Sequence, residues 1–133
     1  MATQFSTNAR NGMLDAIETE AGASPILKIR SGAAPANCAT ADAGTVLATL
    51  NLPADAFSAA SGGAKAMLGS WADASSDATG TAAHFRLYKT DGTTCVMQGT
   101  VGTSAADLIV DNTSFVATQP FSITSFTLTA PGA

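Results

Sequence analysis

Apolar and polar residues alternate in short runs along this chain, and turn-forming pairs cut the runs short. Residues 81–89 place Ala83, Phe85 and Leu87 in one phase and His84, Arg86 and Tyr88 in the other. That period of two is the mark of a strand with one buried side. Asp91-Gly92 follows, then a second run over 94–101, so the stretch reads as a β-hairpin. Residues 107–110 form another short strand, with Asp111-Asn112 as the next turn. In 120–129, Phe121 and Ile123 share one phase while Phe126 and Leu128 share the other. A bulge near Thr124-Ser125 brings all four to one side.

The first half adds one helix and weaker strands. Residues 6–20 carry Ala9, Met13, Ala16 and Ile17 at helical spacing, with Leu14 widening the stripe. Ser6 or Thr7 can cap it, Phe5 can staple its first turn, and Gly22 can end it. Met13 and Leu14 read as core residues. Residues 25–30 form the first strand, with Leu27 and Ile29 inward and Lys28 and Arg30 outward. The run from Ser31 to Asn37 holds Gly32 and Pro35 and reads as a loop. Residues 46–52 alternate as a strand that Pro53 ends. Residues 54–69 permit either a helix or an interrupted loop, because Ser61-Gly62-Gly63 breaks an alanine-rich run. Residues 65–71 then read as one strand carrying Met67 and Trp71 to the core. One helix and roughly six to eight strands without helical crossovers predict a mainly β fold. The expected form is a single domain over 1–133, with a helix at about 6–20 and a β-rich body at about 25–130. Its architecture is an antiparallel β-sandwich or jelly-roll-like arrangement with an N-terminal helix.

Charge and composition narrow the partners. The chain has 133 residues, a net charge of -4 and only 12% charged residues. Its cations, Lys28, Arg30, Lys65, Arg86 and Lys89 beside Arg10, are dispersed, so no basic footprint for nucleic acid is present. No stretch reaches the apolar length of a membrane span, and no secretory signal is expected. Much of the 46% hydrophobic fraction is alanine, which gives little core area per residue, so self-association is expected to add stability. Cys38 and Cys95, far apart in sequence, are expected to stay separate as small buried hydrophobes.

Chemistry-bearing residues are sparse. His84 is the only histidine, and a catalytic base needs both a reacting partner and an orienting group. The expectation is a surface or interface histidine, with no catalytic residue and no cofactor. Asp15, Glu18 and Glu20 read as solvated helix carboxylates. Asp73 with Asp77, and Asp107 with Asp111, lack a calcium-loop pattern, and Cys38, Cys95 and His84 lack zinc spacing. No metal site is expected. Arginines and large aromatics make the best binding anchors, which selects Arg10, Arg30, Trp71, Arg86 and Tyr88 as interface candidates. Trp71 suits the core as well, and Trp71 with Tyr88 also permits carbohydrate contact. Small-substrate hydrolysis is the enzymatic competitor and needs His84 to meet an Asp or Cys in a pocket.

Several segments together resemble a small tailed-bacteriophage virion protein family. They include Phe5-Ser6-Thr7-Asn8-Ala9-Arg10-Asn11, Leu14-Asp15-Ala16-Ile17 and Ser24-Pro25-Ile26-Leu27-Lys28-Ile29-Arg30-Ser31-Gly32. Pro35-Ala36-Asn37-Cys38, Ser61-Gly62-Gly63-Ala64-Lys65, Phe85-Arg86-Leu87-Tyr88 and Cys95-Val96-Met97-Gln98-Gly99 extend it, as does the run from Ser122 to Thr129. The resemblance spans most of the chain and carries no catalytic signature. It implies a non-enzymatic structural protein of the virion; analogy with small β-rich virion proteins narrows this to capsid decoration or cement. The implied partners are the major capsid protein and other copies of the chain. The implied location is the capsid exterior, after a stay in the host cytoplasm. A tail, adaptor or host-attachment module is the nearest alternative.

Overall fold

The computed structural model describes residues 3–133. Helix α1 spans Thr7–Ala21, capped by Ser6, whose hydroxyl accepts the Ala9 amide at 3.1 Å. Leu14 and Ala21 are its buried residues, and Met13 is half-buried. Phe5 does not bury against the first turn. It stays 43% exposed and lies over Gly132, whose carbonyl accepts the Phe5 amide. The chain's two described ends are thereby tied together.

Ten strands follow: β1 (Ile26–Arg30), β2 (Val46–Asn51), β3 (Ala64–Ala66), β4 (Ala72–Asp73), β5 (Gly80–Thr81), β6 (His84–Tyr88), β7 (Cys95–Gly102), β8 (Leu108–Val110), β9 (Ser114–Phe115) and β10 (Phe121–Thr129). The main sheet runs β2-β1-β6-β7-β8-β10-β3, with β4 also on β10, while β5 and β9 pair separately. The result is a mainly β domain with one N-terminal helix and a curled, open half-barrel sheet. Its two ends approach each other, for β4 on β10 lies against β2. Residues of both regions share one buried cluster. At its centre Trp71 meets Phe57 at 5.3 Å and Phe126 at 5.6 Å, and Phe126 meets Phe85 at 5.5 Å. Each such side chain contributes about 1.5–3 kcal/mol by leaving water.

The bulge falls where the phase change requires it. In β10 the register against β8 shifts between Ile123 and Ser125, and Phe121, Ile123 and Phe126 are all buried. The Asp91-Gly92 reversal forms as well, with the Lys89 amide donating to the Thr94 carbonyl. Two local expectations are corrected, and one left open is decided. Residues 65–71 are not one strand: β3 ends at Ala66, the chain then leaves the sheet, and β4 begins only at Ala72, the two pairing with opposite halves of β10. The alanine-rich middle is not helical. Gly62-Gly63, both at positive φ, reverse the chain so that Ser61 bridges Ala64 and Phe57 bridges Met67, because only glycine takes that pair of conformations readily. The sheet is also not wholly antiparallel: β7 and β8 run parallel over Val101–Leu108 and Gly102–Ile109, since the chain between them loops out and returns without reversing.

Both sheet ends are blocked against further pairing. At β2, the Asp77 amide donates to the Leu47 carbonyl, while Thr49 donates from its amide to Asp73 and from its hydroxyl to Asp77. At β3, the preceding segment takes the edge: the Ser58 amide donates to the Ala66 carbonyl, and Ser61 and Ala64 exchange amide-to-carbonyl bonds. Such covering is how sheet proteins avoid edge-to-edge association.

Candidate functional site

Strand β6 is buried on both faces, although alternation gives it only one apolar side. Phe85 and Leu87 enter the core; His84, Arg86 and Tyr88 point outward, beneath residues 32–44. We call this segment the strap. Registration sets what stands beside them: Arg30 opposite His84 on β1, and Gln98 opposite Arg86 on β7.

Asp42 on the strap is the centre of the arrangement. One carboxylate oxygen accepts from Arg86 Nη1 at 2.7 Å and from the Tyr88 hydroxyl at 2.6 Å, and the other accepts from Arg30 Nη2 at 3.0 Å. Arg86 also donates to the Asn37 and Thr40 carbonyls at 2.8 and 2.9 Å, and from Nε to Gln98 at 3.0 Å. Gln98 in turn donates to the Pro35 carbonyl at 2.6 Å. His84 Nδ1 lies 2.7 Å from the Gly32 carbonyl, which fixes that nitrogen as the N–H donor. Lys28 sits over the Tyr88 ring at 5.1 Å. Burial alone would raise the Asp42 pKa, but the Tyr88 hydroxyl and the two guanidiniums outweigh it and hold the carboxyl below its ordinary 3.8. Burial, with the Asp42 hydrogen bond, pushes the Tyr88 phenol above 10 against the opposing pull of Arg30.

A disulfide completes the cover. Cys38, in mid-strap, is joined to Cys95 at the start of β7, with Cα atoms 5.4 Å apart. The expectation of separate cysteines is therefore corrected. A separation of 57 residues hides the pairing in the sequence; the return of the strap over β7 creates it.

The interface candidates are corrected with it. Arg30, Arg86 and Tyr88 are 6%, 2% and 0% exposed, and His84 is 1% exposed. Each points away from the core, as alternation requires, but into the strap instead of solvent. Trp71 is core, its Nε1 donating to the Ala56 carbonyl, so neither aromatic proposed for carbohydrate contact is available on the surface. Arg10 is half-buried and caps the Ala130 carbonyl through Nε and Nη2. Asp15 and Glu18 are not merely solvated: they hold the Lys65 ammonium at 2.9 and 2.6 Å beneath the helix.

Sequence reasoning passed over Asp42, Asn37 and Gln98. One signal was there to read. Asp42 is the sole charged residue between Arg30 and Asp55, and a lone carboxylate in a loop beside an outward Arg/Tyr face invites pairing.

Three hollows lie elsewhere. One of about 310 Å³ is lined by Asp111, Phe115, Val116 and Phe121, and one of about 460 Å³, which reaches to Asp73 and Ser122, adjoins it at Asp111 and Phe121. The third, of about 460 Å³, opens between Ile17 of α1, Met97 of β7 and Leu128 of β10. His84 lines none of these three. Among the described residues no group of three or more His, Cys, Asp or Glu side chains could hold a metal ion. No described helix is long and apolar enough to cross a membrane. Comparison with models of known protein families, with curated proteins and with solved structures finds no match to this chain. Two guanidiniums and a phenol meet under the strap on the Asp42 carboxylate, and these donors can hold an anionic oxygen pair.

Proposed function

We propose that this chain is a non-enzymatic structural protein of a tailed-bacteriophage particle, decorating or cementing the capsid through contacts with major capsid subunits and further copies of itself. One observation carries the reading beyond the sequence resemblance: the reactive side chains are committed to the fold. Arg30, His84, Arg86 and Tyr88 clamp the strap, and Lys65 anchors the helix. What faces outward is a weakly charged surface with isolated apolar points at Phe5, Leu68 and Val116. A jelly-roll-like reading of the curled sheet belongs to the same proposal, since a rigid β body with blocked edges suits a repeated surface part.

With the arginines and Tyr88 inside, contact falls to the exposed apolar residues, because apolar side chains ringed by polar surface mark association sites. Purified particles are expected to contain many copies, spread over the shell in a density map. Val116→Asp and Leu68→Asp are expected to weaken co-sedimentation with shells without altering the fold. Wild-type binding by both variants would discard these contacts, and a particle lacking the chain would discard the reading. A few copies at a single vertex would instead identify a tail or adaptor component.

A further inference from the structure

The strap is held without a hydrophobic contribution of its own. Residues 32–44 form no helix or strand, and every one of them is exposed or half-buried. Their attachments to the sheet are the polar contacts of Arg30, His84, Arg86, Tyr88 and Gln98, and the one disulfide. The base of the loop is fixed separately, by the Ser31 amide on the Thr45 carbonyl and the Thr45 amide on the Ser31 hydroxyl. Just inside that base, Gly32 and Gly44 take φ of 78° and 76°. A side chain at Gly44 would collide with the Ser31 carbonyl. The segment is thus a flap with glycine at both hinges.

The surface under the flap is built for a carboxylate. Two guanidiniums and a phenol converge on the Asp42 oxygens, a pattern of charge-assisted donors that recognises an acidic group from any source. Asp42 uses the site incompletely. Arg30 Nε and His84 Nε2 are buried, stand on neighbouring strands and have no hydrogen-bond partner. Buried polar atoms left this way ask for an explanation. With Nδ1 as the donor, His84 Nε2 is an acceptor, so Arg30 Nε is the one of the two that can donate to an acidic group.

We propose that residues 32–44 are a redox-latched strap, and that the face beneath it is a binding site for an acidic peptide segment, which Asp42 occupies until a dithiol reductant opens the Cys38–Cys95 bond. Both cysteines are only half-buried, so a reductant can reach them. One thiolate of the dithiol attacks a cysteine sulfur, the Cys38–Cys95 bond breaks, and a mixed disulfide forms. The second thiolate then closes the reductant's own disulfide and expels the remaining cysteine. The dithiol loses two electrons, and each cysteine ends as a thiol after taking up one proton.

Three residue types that occur once each make the test clean. Tyr88 and His84 lie under the strap, and Trp71 lies in the core. The full chain is reduced with dithiothreitol, alkylated with iodoacetamide and desalted. A Cys38→Ser/Cys95→Ser variant excludes effects of the alkyl groups. Opening the latch is expected to speed diethyl pyrocarbonate acylation of His84 by roughly 30-fold or more, the ratio implied by the lower end of a disulfide's usual contribution. The absorbance titration of Tyr88 is expected to move down toward that of free tyrosine, with Trp71 emission unchanged. A fluorescein-labelled hexaglutamate peptide is expected to bind the opened chain and not the oxidised one, and more tightly still after Asp42→Asn removes the internal competitor. The proposal is overturned if Trp71 shifts together with the strap reporters, if those reporters stay covered, or if hexaglutamate binds no better than hexaserine.

Discussion

Two polar clamps hold this protein's non-sheet segments, both with buried cations, and they are built with opposite stoichiometry. Under helix α1 a single buried ammonium, Lys65, is held by two carboxylates that remain in contact with water, Asp15 at 58% and Glu18 at 31% side-chain exposure. Under the strap the cations are buried, and one carboxylate, Asp42, gathers them. The helix also contributes Leu14 and Ala21 to the interior, whereas the strap contributes no buried residue. A segment with its own apolar face uses its ion pair as a supplement. A segment without one depends on its polar contacts and its disulfide.

Replacing the cations tests that difference most directly. Arg86→Met removes four contacts at once, taking the donor from the Asn37 and Thr40 carbonyls and from Gln98 and one of three from Asp42, so the strap loses most of its polar attachment. A loss of roughly 2–4 kcal/mol in urea unfolding is expected. In the other clamp the order of severity reverses between partners. Asp15→Asn with Glu18→Gln leaves the buried Lys65 ammonium with no carboxylate, so this double variant is expected to unfold at lower urea than Lys65→Met. The latter strands nothing, because Asp15 and Glu18 can turn to water, and its cost is expected to stay within about 1 kcal/mol. Equal losses for Arg86→Met and Lys65→Met would erase the distinction between the two clamps.

What the sequence disclosed follows the same division. Helix α1, the 81–101 hairpin, the β10 bulge and the inward faces of β1 and β6 were legible, because each is a periodicity or a turn signal within a dozen residues. The outward phase of His84, Arg86 and Tyr88 was legible too. Their burial was not, because alternation says which side a residue faces and nothing about what returns to cover that side. Covering came from the Ala/Gly-rich 32–44 segment, whose composition reads as solvent-exposed loop. The break between β3 and β4, and the parallel meeting of β7 and β8, depended likewise on where β10 lies. Lys65 was unreadable for the same reason: its partners stand 50 and 47 residues away, on a helix whose carboxylates looked solvated.

Acid separates a carboxylate that supports a long-range contact from one that supports only its own turn. Asp91 belongs to neither clamp. It accepts the Thr94 hydroxyl and the Thr93 and Thr94 amides, which draw its pKa from 3.8 to about 2. A carboxyl depressed on folding stabilises the native state above its unfolded pKa, and the benefit disappears as pH falls through the folded value. The Asp91 contribution is therefore full above 3.8 and gone near 2. Asp91→Asn keeps an acceptor oxygen but not the charge, so its stability deficit is expected to be smaller than that of any clamp variant. That deficit should narrow between about pH 4 and 2 while the strap stays closed. Asp42→Asn carries the same sign, since Asp42 is also depressed, but removing its charge takes an ion pair from both Arg30 and Arg86. Its deficit should shrink in acid as well, accompanied at neutral pH by easier acylation of His84. Unfolding followed through Trp71, with His84 acylation as the second reading, distinguishes the two: a wild-type acylation rate in Asp42→Asn would mean that the disulfide and the contacts to the strap carbonyls keep it down without Asp42.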